Sequence, residues 1–315
     1  MNIEDLTKQY VLFRRSLGAK FIEGERTLKA FVRYVGTAID ITDITRSQTS
    51  AFLLYPTSSV TRKWFQRHCV LNGLFRWAIK RNYISSAPLT DIKPRHPEYK
   101  KPYIYSKWEL RSIFNAAMQY QRRPSKTYPQ SVKMILQLTY FLGLRISETL
   151  SLKLGDINLE DSIIFIRETK FYKSRHVPFA PQVKQLLSTF LSWRNDKGMP
   201  DSSEAYLFLT KRNLPVKRGN IHLAFSKIRD IAGIKRDDGV LMLPRIHDLR
   251  HTFAVNRLTQ WYREGKDVQM LLPKLSTYMG HTHLSHTSVY LTMTDSLLEE
   301  ANKRFENYVN INENE

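Results

Sequence analysis

The sequence predicts a mainly α-helical protein of two domains, with one small antiparallel β-sheet confined to the second. Three observations carry this expectation. Apolar residues recur at helical spacing through most of the chain. A proline-rich, basic stretch interrupts that pattern at 93–103. One segment, "DSIIFIRETKFYKSRHVPF" at 161–179, reads instead as two short β runs around a turn. A length of 315 residues also suits two cores better than one.

Residues 1–92 form the expected first domain, helical throughout. "EDLTKQYVLFRRSLGAKF" has the helical repeat and no β-rich run. In "SSVTRKWFQRHCVLNGLFRWAIKRNYI" the stripe runs through Val60, Trp64, Cys69 or Val70, Leu74, Trp77 and Ile79, with Ser58 or Ser59 as the N-cap. Arg62, Lys63, Arg67, Arg76, Lys80 and Arg81 lie between the apolar positions. They make either a solvated face or one that meets phosphates. The linker at 93–103 follows, with Lys93, Arg95, Lys100 and Lys101 among prolines that stiffen extended chain.

The second domain is expected over 104–315. "SKWELRSIFNAAMQY" begins a helix capped by Ser106, with Glu109 at the capping-box position. "SVKMILQLTYFLGL" is mostly apolar and so buried, and Gly143 ends it. "ISETLSLKL" is another helix. Ile163–Ile166 is a β run, "TKFYKS" the turn and "RHVPF" the return strand. Helices resume in "PQVKQLLSTFLSW", "NIHLAFSKIRDIAG" and "HDLRHTFAVNRLTQWYREG", and "DSLLEEANKRFENYV" is a last amphipathic helix capped at Asp295 or Ser296.

Composition narrows the function classes. The net charge is +20, and it is spread: residues 1–97 hold 16 Lys/Arg against 7 Asp/Glu, a surplus of 9, which leaves about 11 for the rest. Nucleic acid is the expected partner, with a solvated basic surface as the bland alternative. No apolar run approaches the roughly 20 residues of a membrane span, and the N-terminus lacks the apolar stretch of a signal peptide. A single cysteine, Cys69, excludes an internal disulfide and fits a reducing, cytoplasmic compartment. No G-x-x-x-x-G-K-[ST] loop is present, which argues against an NTPase. "HTHLSH" clusters His281, His283 and His286, with His247 and His251 upstream, yet the spacing matches no metal-ligand pattern, so neither metal nor cofactor is expected.

Four stretches place polar residues in apolar surroundings. In "FLGLRISETL", Arg145 follows a buried helix and needs an anion, either a substrate or Glu148 three residues on. In "ETKFYKSRHVPF", Lys170 and Lys173 sit at a β-turn, where lysines are usually just solvated. In "RIHDLRHTFAV", His247 and Arg250 share one helix face. In "YMGHTHLSHTSVYLTMTD", His281 follows Gly280 and Tyr290 lies nine positions on. Tyr290 is either reactive or one of 16 tyrosines packed on a helix.

Taken in order, Arg145, Lys170, His247-x-x-Arg250, Gly280-His281 and Tyr290 resemble the active-site series of the tyrosine recombinase (phage integrase) family. "GLRISETLSL", "HDLRHTFA" and "YMGHTHLSHTSVYL" are the close segments, and the hairpin falls into register as K-x-x-K-x-R-x-V-P. The domain at 1–92 resembles the family's helical core-binding domain in outline. The resemblance implies two domains forming a C-shaped clamp on double-stranded DNA, and a tetramer, because recombination cuts four strands. It also implies a bacterial, nucleoid-associated protein of a transposon or other mobile element, and leaves room for accessory recombination proteins.

The chemistry suits these residues. Attack by Tyr290 on a phosphodiester builds negative charge on the non-bridging oxygens, which Arg145, Arg250 and His281 would hold. Lys170 would protonate the leaving 5′ oxygen, with Lys173 structural. His247 would take the tyrosine's proton or orient the phosphate. The 3′-phosphotyrosyl link keeps the bond energy, so neither ATP nor metal is required. Glu148 and Asp248 would support the arginines. "TKFYKS" lacks the glycine many relatives carry after the lysine, so Phe171 would stiffen that turn. A type IB topoisomerase-like relaxing enzyme and a catalytically inactive DNA-binding regulator are the rival readings.

Overall fold

The computed structural model describes residues 1–56, 60–90, 94–95, 101–120, 127–167, 174–240, 242–292 and 297–303. The chain divides into two units, Met1–Tyr99 and Lys100–Glu315.

In the first unit Asn2 accepts a hydrogen bond from Asp5 N at 2.8 Å and starts α1 (Ile3–Ser16). α2 (Ile22–Val35) and α3 (Arg46–Leu54) follow, the latter opened by a Thr45–Gln48 capping box. α4 spans Arg62–Lys80. The four helices enclose Leu6, Leu28, Phe31, Leu71, Leu74 and Phe75, all fully buried. Each contributes roughly 1.5–3 kcal/mol of burial, which is why these short helices hold together.

Two details of α4 correct the sequence reading. The N-cap position is Thr61, and Ser58 and Ser59 lie outside the described residues. The buried stripe runs Trp64, His68, Leu71, Leu74, Phe75, Trp77 and Ala78, while Cys69 is exposed and Val60 largely so. His68 takes the inward position because it is in helical phase with Trp64, Leu71, Phe75 and Ala78, and its ring stacks on Trp64 one turn earlier, with centroids 5.0 Å apart. Of the basic residues, Arg67 is tied to the carbonyl of Phe52 at 2.8 Å, and Arg62, Lys63, Arg76 and Arg81 are exposed.

The second unit opens with α5 (Lys107–Gln119). Ser106 accepts from Glu109 N at 3.2 Å, and Glu109 accepts from Ser106 N at 2.7 Å, the expected reciprocal cap. α6 (Pro129–Phe141) is buried along most of its length, and α7 (Ile146–Ser151) follows after one glycine turn. The sheet has three antiparallel strands, β1 (Ile157–Asn158), β2 (Ile163–Ile166) and β3 (Arg175–Pro178), in that order. Ile164 faces Val177, and Ile166 faces Arg175. The expected turn residues, Lys170 and Lys173 included, lie outside the described residues. The two-residue β1 is too short to carry an alternating pattern.

Helices α8 (Pro181–Asp196), α9 (Arg218–Ile231) and α10 (Ile246–Arg263) complete the body, with α10 packed across α6. α11 (Val268–Met279) is capped by Asp267, which accepts from Met270 N at 3.0 Å, and has Pro273 inside it. One helical turn, α12 (Ser285–Ser288), leads into a 3-10 turn at Val289–Thr292, and residues 297–303 are helical. Among the described residues no helix is long and apolar enough to cross a membrane.

Candidate active site

The site is built where α6, α7, α10, α11 and β3 meet. α6 must turn sharply to deliver α7, and Gly143 makes the turn at φ +57°. A Cβ there would lie 2.3 Å from the Phe253 ring, so only glycine fits. Arg145 follows at the N-cap of α7.

Glu148 anchors this corner. Its carboxylate accepts from Arg145 N at 3.0 Å and Arg145 Nη1 at 2.7 Å, and from Arg175 Nη1 and Nη2 at 3.1 and 2.8 Å. Burial alone would raise its pKa, but the Arg175 and Arg145 hydrogen bonds win and hold it at about 2. The salt bridge that the sequence offered as the bland role of Arg145 therefore exists. It leaves the rest of the guanidinium fork to other partners.

Those partners are at the end of α11. The last carbonyls of a helix have no intrahelical donor and carry its negative pole. Here three successive ones each receive an arginine. Tyr278 O accepts from Arg175 Nε at 2.8 Å, Met279 O from Arg250 Nη2 at 2.6 Å, and Gly280 O from Arg145 Nη2 at 2.7 Å. Gly280 itself caps α11 at φ +68°, and a Cβ on it would sit 2.7 Å from Arg175 Nη1. Arg250 also donates to Gly143 O at 2.5 Å. Three guanidiniums thus gather at one helix end, two of them sharing the Glu148 carboxylate, an arrangement with charge to spare for an anion.

α10 supplies the histidines. Arg245 N donates to Asp248 at 2.8 Å, and Asp248, fully buried, also accepts from Arg245 Nη2 at 3.0 Å. Tyr105 N donates to Thr252 Oγ1 at 3.0 Å and Tyr105 Oη to Arg245 O at 3.0 Å, tying the start of the unit to this helix. Arg250 is 1% exposed, and burial and Arg145 lower its pKa to about 10, so it stays charged at neutral pH. The rings of His247 and His251 meet edge-on at 4.7 Å. Partial burial, His251 and Arg250 hold His247 below its usual pKa, though its exposed edge damps that shift. His251 is buried, and burial, Arg245 and Arg250 lower its pKa to about 4.

Tyr290 lies on the 3-10 turn after α12 and is 3% exposed. Its hydroxyl is 3.0 Å from His251 Nδ1, and its ring stacks near His281 with centroids 6.2 Å apart. His281 Nδ1 pairs with Thr287 Oγ1 at 2.7 Å, and burial, Arg250 and Arg145 push its pKa down to about 3. Tyr290 is near enough to Arg250 to influence its charge state.

A profile of the phage integrase family matches residues 106–296. The integrase/recombinase candidate y4rB of Sinorhizobium fredii is 32% identical over 304 residues, 95% of each chain. The chain belongs to the phage integrase family of tyrosine recombinases. Tyrosine recombinase XerC of Bacillus pumilus is 25% identical, over 92% of this chain and 91% of that one. The fold matches that of the Tn1549 transposon integrase bound to transposon right-end DNA, with a TM-score of 0.69 at 17% identity over 98% of this chain and 99% of that one.

In this tyrosine recombinase the fold gathers Arg145, Arg250, His281 and Tyr290, with His247 behind His251. Lys170 lies outside the described residues, although β2 and β3 on either side of it are paired and Arg175 of β3 reaches the cluster. Among the described residues no group of three or more His, Cys, Asp or Glu could hold a metal. The sequence reading missed His251 and gave Arg175 no role of its own. His251 is four residues after His247 and so shares its helix face. Arg175 is two residues before the fully buried Val177 and so points inward, where it needs an anion.

Proposed function

We propose that this chain is a site-specific recombinase that cuts duplex DNA with Tyr290 and rejoins it through a 3′-phosphotyrosyl link, serving integration, excision or transposition of a mobile element. The observation that carries the reading is the convergence of Arg145 and Arg250 on one helix end beside a tyrosine hydroxyl hydrogen-bonded to an imidazole.

Arg145 and Arg250 hold the scissile phosphate and take up the charge that develops on its oxygens, with His281 as a further donor. Their partners are backbone carbonyls and Glu148, so the guanidiniums stand in place before DNA arrives. Lys170, which falls between β2 and β3 in sequence, protonates the leaving 5′ oxygen. His247 orients the phosphate from the first turn of α10. The phosphotyrosine keeps the energy of the broken bond, and a free 5′-hydroxyl reverses the step without a nucleotide cofactor.

The second unit is the catalytic domain, and Met1–Tyr99, with its exposed arginines on α4, is a DNA-binding domain. Exchange between two duplexes needs four cuts, and the active assembly is a tetramer on DNA. Acting on chromosomal or element DNA places the protein in the bacterial cytoplasm, at the nucleoid.

Covalent capture tests this. Incubated with random-sequence duplexes carrying a nick, the wild-type protein will form an adduct stable to denaturant, and Tyr290→Phe will form none. Wild-type protein that binds DNA but never becomes linked to it would overturn the reading.

A further inference from the structure

The hydroxyl of Tyr290 faces a histidine that the family resemblance did not single out. His251 follows Arg250 on α10, so one stretch of helix delivers both a phosphate-holding cation and a group within hydrogen-bond reach of the nucleophile. The separation from Nδ1 to Tyr290 Oη is 3.0 Å. His251 is 9% exposed and Tyr290 3%, so bulk water competes poorly for the proton between them. Among the described residues, the charged and titratable groups around His251 are His247, Arg245 and Arg250 on α10, His281 just after α11, and Tyr290 on the facing 3-10 turn. Burial, with Arg245 and Arg250 nearby, disfavours a further positive charge, so the imidazole rests neutral, as a proton acceptor must. A phosphate bound by Arg250 offsets one of those cations and makes the ring more basic at the moment it is needed.

We propose that His251 takes the proton of Tyr290 as the tyrosine attacks. The Oη–H bond breaks and the proton moves to Nδ1, which requires the tautomer with hydrogen on Nε2. The freed electron pair on Oη forms the bond to phosphorus. The phosphorus–O5′ bond breaks, and the departing oxygen takes a proton from Lys170. Resealing runs the same transfers backwards, with the His251 imidazolium returning its proton to the phenolate. His247 stands behind His251, its ring edge-on to the ring that does the transfer. The inference rests on the reading of Tyr290 as nucleophile.

The test uses nicked duplexes recovered by covalent capture on the wild-type full-length protein. His251→Asn keeps an acceptor oxygen near the position of Nδ1 but cannot hold the proton, and His251→Ala removes the group. Both lower the rate of adduct formation and the rate of resealing by about 10²-fold, with DNA binding by gel shift unchanged. A more acidic nucleophile, 3,5-difluorotyrosine at position 290, restores at least about tenfold in His251→Asn and gains less in wild type, because it needs less help to ionise. A merely structural role for His251 predicts equal effects of fluorination in both proteins. Wild-type rates in His251→Asn, or fluorotyrosine rescue of His247→Asn in its place, overturn the inference while leaving the nucleophile standing. No adduct from wild type sinks the proposed function itself. If His251→Ala fails to fold, His251→Asn and the fluorotyrosine comparison decide alone.

Discussion

Arg145 Nη2 donates to the carbonyl of Gly280 at 2.7 Å across 135 residues of sequence, so the start of α7 and the end of α11 form a single joint. Every group proposed to handle the phosphate hangs from that joint or from the helix beside it. Its parts therefore respond to substitution in distinguishable ways.

Gly280→Ala strains a φ of +68° and drives a methyl to within 2.7 Å of Arg175 Nη1. The backbone cost is about 1–3 kcal/mol, readable as a lowered urea midpoint. Strand cleavage falls much further than DNA binding, because Arg145 and Arg175 are both displaced. Cleavage at the wild-type rate in Gly280→Ala would show that the joint has slack.

Glu148→Ala leaves Arg145 and Arg175 without their shared carboxylate. Breaking such a buried pair costs about 3–5 kcal/mol, again measured by urea unfolding. Glu148→Gln keeps the shape and one acceptor oxygen, so it folds better and separates the two roles. It retains DNA binding and loses most of the adduct formation, since neither guanidinium is then held on both sides.

Lys170→Ala slows cleavage of an ordinary phosphodiester. A substrate with sulfur at the 5′ leaving position needs no acid, and its cleavage rate is the same in Lys170→Ala and wild type. A sulfur substrate that gives no rescue removes Lys170 from the role of acid and moves attention to Lys173.

Acid weakens the fold first through its depressed histidines and then through Glu148. His251 falls from 6.5 to about 4 on folding, so the unfolded chain binds the extra proton between those values and stability drops as pH falls through that window. His251 alone adds a slope of about 1.4 kcal/mol per pH unit in the middle of its window, and the depressed His247 and His281 act in the same direction. Glu148 falls from 4.5 to about 2, so its contribution is complete above 4.5 and is lost as pH falls towards 2. Urea titrations from pH 7 to pH 4 show a shallower slope in His251→Asn than in wild type.

Much of this was legible in the sequence where a side chain carries the signal. The Ser106–Glu109 cap, the turn at Gly143, the β run at Ile163–Ile166 and the HxxR spacing on α10 all stand as read. What escaped reading was carried by the backbone or overridden by burial. The three carbonyls at the end of α11 are acceptors in any sequence, so no residue type marks them. α11 itself contains Pro273, a helix breaker by propensity, yet Leu272, Leu275 and Met279 are buried and hold it helical. The segment at 278–295 leaves Tyr290, read from its residues, either reactive or packed on a helix. Within it residues 285–292 are short helical turns, too brief to show a period. Cys69 and Val70 gave way to His68 on α4 because position 68 is in helical phase with Trp64, Leu71, Phe75 and Ala78, and its ring stacks on Trp64.

Arg250 is 1% exposed and Tyr290 3%, so the resting molecule shows bulk solvent little of its nucleophile or of one of its two phosphate-holding cations, while the Arg145 side chain stays 30% exposed. Nucleotides and short phosphodiesters drifting past meet one open guanidinium and a covered tyrosine. Uncovering it takes work, and a long duplex gripped at many phosphates can supply that work where a fragment cannot. Contact length thereby becomes a licence for bond breaking, which spares a cell from an enzyme able to sever its own chromosome at every chance collision.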